Sequence, residues 1–252
     1  MKRAGGIVCA IGFCLSAAAS AGSNVQFSAQ AVQSAPDGKS RQASMYVGDN
    51  QVRMEHKRGD ADMVQIYDMK SKRVLVLVPQ QKVYMQRDLP EGAAVNPMLP
   101  QEKHNPCATF PDASCKQLGS ESVYGRSVSK WEIAVVREGK TLRSLHWIDD
   151  ERAMPLRDVW PDGSVSELKL TGTEVLDGRK TERWQRTMTD AEGKQSTSKQ
   201  WYDPELRIIT REELPGGFYR ELKSIAVAPQ PPALFSVPAD YKRVEAPAPG
   251  QQ

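Results

Sequence analysis

From Val25 onward the chain divides into short runs in which apolar and polar positions alternate, with turn residues between them. A period of two marks pleated strands with one face covered. The runs fall at 25–32, 41–47, 51–56, 63–67, 74–78 and 82–85, then at 127–137, 141–148, 156–160, 165–173, 181–189, 195–202, 208–213 and 218–225. Gly48-Asp49-Asn50, Glu138-Gly139-Lys140, Pro161-Asp162-Gly163, Asp190 to Gly193 and Leu214-Pro215-Gly216-Gly217 supply hairpin turns between neighbours. Connections this short join antiparallel strands, because parallel pairing needs a crossover of a dozen or more residues. No long segment carries a helical apolar stripe, so the expected fold is mainly β, an antiparallel meander with sequential strands side by side. Residues 86–122, rich in proline and polar groups, and residues 228–252 do not read as strand. The most apolar run, 73–78, reads as a central strand buried on both faces.

The middle of the chain repeats. Gly125, Arg126 and Trp131 recur 53 residues later as Gly178, Arg179 and Trp184. After one added residue, Trp147, Asp149, Glu151, Arg157, Gly163, Glu167, Leu168 and Lys169 recur as Trp201, Asp203, Glu205, Arg211, Gly217, Glu221, Leu222 and Lys223. Segments 125–170 and 178–224 thus read as two copies of a four-strand unit extending one sheet. Trp131, Trp147, Trp184 and Trp201 fall on strands, where an indole either packs the core or lines an apolar groove.

The N-terminus reads as an address. Lys2 and Arg3, an apolar run from Ile7 to Leu15 and the ending Ala19-Ser20-Ala21 form a three-part export signal at residues 1–21, cleaved after Ala21. The run is too short to span a bilayer. Neither Cys9 nor Cys14 is preceded by a lipidation sequence, so an exported, periplasmic protein without lipid anchor is expected. One domain over 22–244 and a disordered tail at 245–252 would follow. Cys107 and Cys115 then remain, and an oxidising compartment suggests one disulfide closing a short loop, stabilising by about 2–3 kcal/mol. A metal site with His104 is the rival reading and lacks a fourth ligand.

The 34 basic and 31 acidic residues give a formal charge of +3, too small an excess to argue for nucleic acid. Phosphate-binding, dinucleotide, zinc-protease and serine-hydrolase motifs are absent, so no enzyme activity, cofactor or metal is expected. His146 reads as an outward strand residue between Leu145 and Trp147. Asp149, Asp150 and Glu151 read as turn chemistry and solvation at a bend. The stretch 85–99, with Met85 and Met98, reads as a surface loop or a flap over an apolar groove.

Trp147-Ile148-Asp149-Asp150 leading to Met154-Pro155-Leu156-Arg157, and the ending Pro232-Ala233-Leu234-Phe235-Ser236-Val237-Pro238-Ala239-Asp240-Tyr241, resemble the LolA-like superfamily, closest to its DUF4412-type members. The resemblance implies a strongly curved, unclosed antiparallel half-barrel whose apolar concave face holds acyl chains. No lid helices of the carrier type are evident here. The expected function is non-catalytic binding of a lipid or other apolar chain, with Trp131, Trp147, Trp184, Trp201, Leu75, Leu77, Met85 and Met98 as lining residues. The alternatives are an envelope interaction or stress-sensing scaffold, and a small enzyme using the groove, which would need Asp, Glu, His or Arg pointing inward.

Overall fold

The computed structural model describes residues 25–88 and 113–245. Sixteen strands form one sheet. The first meander holds β1 (Phe27–Ser34), β2 (Ser40–Val47), β3 (Gln51–Arg58), β4 (Ala61–Asp68), β5 (Arg73–Val78) and β6 (Val83–Asp88). The second begins with β7 (Ser114–Val123), β8 (Arg126–Arg137), β9 (Lys140–Asp149), β10 (Pro155–Val159) and β11 (Val165–Leu176). It continues through β12 (Arg179–Thr189), β13 (Gln195–Asp203), β14 (Ile208–Glu213) and β15 (Tyr219–Val227), and β16 (Lys242–Arg243) follows. No α-helix occurs among the described residues; short 3-10 turns lie at Pro79–Gln81, Pro215–Gly217 and Pro232–Phe235.

Within each meander, successive strands are neighbours, and β15 returns to pair with β1, so the two meanders fuse into one sheet. Its ends are β7 and the β6–β16 pair, and these do not meet. The mainly β, unclosed antiparallel sheet expected from the alternation is therefore what forms.

Three features differ from the expectation. Residues 114–123 form β7, although their sequence shows no apolar alternation. As an edge strand paired only with β8, β7 is mostly exposed, and neither face demands apolar residues. Gly119 sits at its bulge with a φ of 138°, a backbone conformation that favours glycine. Second, β16 pairs with β6 in parallel, the one exception to antiparallel pairing among the described strands. Third, β5 is not buried on both faces. Leu77 is 1% exposed, but Val74 and Val76 on the opposite side are only half-buried, because a cover exists on one face alone.

That cover is the chain beyond β15. Phe235 and Leu234 pack with Val64, Ile66, Leu75, Leu77 and Tyr84, and Arg53 Nη1 donates to the Leu234 carbonyl at 2.8 Å. The Phe235 ring lies where a side chain at Gly48 would be: an added Cβ would meet Cε2 at 2.6 Å. On the other face of β1–β3, Phe27, Met45, Val47 and Val52 bury Leu206 from the β13–β14 connection. A third cluster gathers Leu156, Leu168, Trp184, Tyr202 and Ile209 with Trp147, Val128 and Met154.

The residues spaced by 53 and 54 occupy equivalent places. Asp149 ends β9 and Asp203 ends β13, each with 1% side-chain exposure. Asp149 Oδ1 accepts from the N–H groups of Glu151 and Arg152, and Asp203 Oδ1 from those of Glu205 and Leu206. The second oxygen of each takes an arginine: Arg126 on Asp149, Arg179 on Asp203. Each arginine also reaches a glutamate, Glu151 at 3.1 Å and Glu205 at 2.9 Å. A buried carboxylate thereby closes the bend, supplying acceptors for N–H groups that leave the ladder. Turn chemistry explains these aspartates; solvation does not.

Two stability predictions follow from these contacts. Asp203→Ala removes the acceptor of Arg179 Nε and of two backbone N–H groups and is expected to cost about 3 kcal/mol in urea denaturation. Glu205→Ala, removing the exposed member of the same cluster, should cost under about 1 kcal/mol; equal losses would contradict this account. Gly48→Ala drives a methyl into the Phe235 ring and should cost about 1–3 kcal/mol. Pairing it with Phe235→Ala, itself costing about 3–5 kcal/mol, should give a smaller loss than the two singles added together.

Candidate functional site

Register assigns side chains to faces, because residues directly opposite in a ladder point the same way. Across β8 to β15 one face carries Lys130, Trp147, Arg157, Glu167, Gln185, Trp201, Arg211, Glu221 and Tyr219. Its tryptophans are shielded by cations. Lys130 lies 4.8 Å and Arg157 5.3 Å from the Trp147 ring, and Arg211 lies 4.7 Å from that of Trp201. Each indole N–H donates to a glutamate, Trp147 to Glu121 at 2.7 Å and Trp201 to Glu174 at 2.8 Å. Burial, with Glu221 as hydrogen-bond acceptor, pushes the Tyr219 hydroxyl up to about 12. This charged, cation-stacked surface suits water and offers no apolar groove.

The opposite face differs. It carries Trp131, Ile133, Ser144, His146, Asp158, Ser166, Leu168, Trp184, Arg186, Met188, Ser198, Gln200, Glu212 and Arg220. Leu168 and Trp184 are buried, as are the polar His146, Asp158, Ser166, Gln200 and Glu212. The polar groups link across strands. Ser144 Oγ lies 2.7 Å from His146 Nε2, and His146 Nδ1 lies 2.8 Å from Asp158 Oδ1. The other Asp158 oxygen faces Arg186 Nη1 at 3.8 Å, and that nitrogen donates to Ser166 Oγ at 2.7 Å. Further along, Arg220 pairs with Glu212. Burial pulls the Arg186 pKa down from its ordinary value, opposed by Asp158 and Glu212. A polar lane therefore links four neighbouring strands, β9 to β12, on the face that also holds Trp184 and Leu168.

On one side of the lane, towards the turns after β8, β12 and β14, apolar side chains stay exposed: Leu142, Met188, Leu214 and Phe218. Leu142 and Met188 point to the same face as His146 by register, and Leu214 N–H donates to the Phe218 carbonyl across the last turn. Exposed apolar groups bordering a partly buried face are a feature of binding surfaces.

The residues expected to line one groove separate. Trp131, Trp184 and Met85 share the lane's face, Trp131 on β8 and Met85 far along the strand order on β6. Trp147, Trp201, Leu75 and Leu77 lie on the other face, where the first two stack under cations and the last two pack against the chain around Phe235. Met98, His104 and Cys107 lie outside the described residues; Cys115 on β7 is disulfide-bonded. His146 is not an outward residue. It is 9% exposed, because its strand face turns to the buried side and Asp158 supplies its acceptor. Sequence reasoning missed Asp158, Ser144 and Arg186. Only the alternation within Ser144-Leu145-His146 and Arg157-Asp158-Val159 could have placed their polar members on one face. A cavity of about 450 Å³ on the first meander has a mixed lining, with Arg53, Glu55 and His56 beside Met63, Val64 and Pro79.

Comparison with solved structures gives likenesses at low identity. A LolA superfamily protein from Nitrosomonas europaea is 13% identical, with 85% of this chain and 91% of that chain covered and a TM-score of 0.35. A putative outer membrane lipoprotein-sorting protein domain from Vibrio parahaemolyticus is 12% identical, covering 84% and 89%, with a TM-score of 0.31. The hypothetical lipoprotein YmcC from Escherichia coli is 14% identical, covering 81% and 85%, with a TM-score of 0.30. Scores this low carry no argument on their own, and the fold rests on its strand order. No curated protein matches the chain. Residues 30–149, from within β1 to the end of β9, match the family described as "Domain of unknown function (DUF4412)", the type that the sequence resembles.

Proposed function

We propose that this protein binds an amphiphile with an apolar chain on the sheet face that carries Trp131, Leu168 and Trp184. The observation that carries the reading is the division of that face: buried apolar groups, a polar lane, then the exposed Leu142, Met188, Leu214 and Phe218. An apolar chain laid over the exposed row removes water from both partners, worth about 2.5 kcal/mol per 100 Å² of apolar surface covered. The lane offers donors and acceptors to a polar head, which a purely apolar ligand would leave unused. On the opposite face Lys130, Arg157 and Arg211 cover Trp147 and Trp201, while on the proposed face Arg126 lies 5.6 Å from the Trp184 ring and the apolar row stays uncovered.

An exported, periplasmic location is supported by the pattern from Lys2 to Ala21. Handling of lipids or lipid-modified proteins in the cell envelope is the setting that fits a protein of this kind. The expected disulfide between Cys107 and Cys115 belongs to the same oxidising setting.

The test is uptake of a fluorescent fatty acyl probe by the full chain after delipidation. Uptake in the micromolar range is expected. Met188→Glu, which places a charge in the exposed row, should weaken it at least about tenfold, while Lys199→Glu on the opposite face should leave it unchanged. No uptake of any acyl probe, together with no copurified lipid by mass spectrometry, ends the binding reading. A stoichiometric protein partner recovered without lipid would instead support a scaffold.

A further inference from the structure

The chain of contacts from Ser144 through His146 to Asp158 is more ordered than binding requires. Ser144 Oγ and His146 Nε2 are 2.7 Å apart, and His146 Nδ1 and Asp158 Oδ1 are 2.8 Å apart. An ionised carboxylate only accepts hydrogen bonds, so Nδ1 carries the imidazole proton and Nε2 turns its lone pair to the serine hydroxyl. The Ile133 carbonyl, at 3.4 Å from Ser144 Oγ, is the longer and competing acceptor. Burial also divides the three. His146 and Asp158 are buried, whereas Ser144 is only half-buried and reachable. Asp158 is held from its far side by Arg186, which Ser166 anchors in turn. Opposite, β8 places Trp131 across from His146 and Ile133 across from Ser144, so the hydroxyl has apolar neighbours.

A serine within reach of a base, with the base oriented by a third group, is the arrangement that activates a hydroxyl as nucleophile. We propose that Ser144 and His146, positioned by Asp158, form an acyl-transfer centre that hydrolyses carboxylic esters with an apolar acyl chain. Ser144 Oγ attacks the ester carbonyl carbon and its proton passes to His146 Nε2. The bond from that carbon to the alcohol oxygen breaks, and His146 returns the proton to the leaving oxygen. Water then attacks the acyl-serine, gives its proton to His146, and Ser144 recovers it as the acid departs. The sum is ester plus water to acid plus alcohol, with no redox partner. Trp131, whose indole N–H has no acceptor among the described residues, is a free donor on the same face. A site without a full set of donors for the developing oxyanion works slowly, since each such donor is worth roughly 100- to 1,000-fold.

The inference stands on the three side chains and not on the binding reading, and the experiment separates the two. The full chain is treated with an alkyl fluorophosphonate and the adduct located by peptide mass mapping. One adduct on Ser144 is expected, lost in Ser144→Ala and formed at least about tenfold more slowly in Asp158→Asn. Hydrolysis of p-nitrophenyl butyrate should fall at least about 100-fold in Ser144→Ala and stay unchanged in Ser40→Ala. No adduct, an adduct on another residue, or an unchanged rate in Ser144→Ala overturns the proposal. Mapping uses the unsubstituted chain, so the outcome does not depend on a variant's folding. Acyl-probe uptake is read separately on the unsubstituted chain; labelling without uptake would sink the binding reading and leave this one.

Discussion

A sheet of one layer has two faces to keep from water and no second layer to do it. The structure meets that constraint differently at each place. Over the first meander, the chain around Phe235 returns to cover Ile66 and Leu77, and the approach is so close that only glycine fits at position 48. On the reverse of the same strands, Leu206 arrives from the β13–β14 bend to meet Phe27, Met45 and Val52. Over the second meander no such segment is available for Trp147 and Trp201, and the stems of Lys130, Arg157 and Arg211 lie over the rings instead. The bends themselves are closed by buried carboxylates, Asp149 and Asp203, which satisfy the backbone where the ladder stops.

The face that holds Ser144, His146, Asp158 and Arg186 is where this economy breaks. Placing several polar groups beside Leu168 and Trp184 is costly unless each is paired, and here they are paired with one another. Apolar side chains would have filled the same positions with less demand on geometry. Arg186 keeps 28% of its side chain exposed, so the lane is not sealed off. A surface of this composition favours ligands with two unlike ends over either a bare hydrocarbon or a fully polar molecule.

Much of the architecture was legible in the residues. Alternation and turn residues placed fourteen strands close to where they form, since hairpin chemistry is local: Gly163 with a φ of 86° and Gly193 with a φ of 83° sit where the sequence shows Asp-Gly and Glu-Gly. The edge strand β7 was not legible, because an exposed strand need not alternate. Nor was the role of 73–78, whose partner on one face lies some 160 residues away in sequence. The site was the least legible part. Four tryptophans look alike in sequence, yet strand register sends Trp147 and Trp201 one way and Trp131 and Trp184 the other. His146 looked outward because its neighbours alternate, and alternation alone does not say which side of a sheet faces water. Asp158 and Ser144 acquire meaning only once β9 and β10 are in register.

The pairing of β1 with β15 has a kinetic meaning. Phe27 lies opposite Val227, so the first strand gains its second neighbour only after some 200 intervening residues have emerged. Closing so long a loop precedes any reward from the contacts it brings. Until then β1 remains an open border able to pair with other chains, and two locally folded halves must wait for a late junction. The joining of β1 to β15 therefore belongs among the late steps of folding.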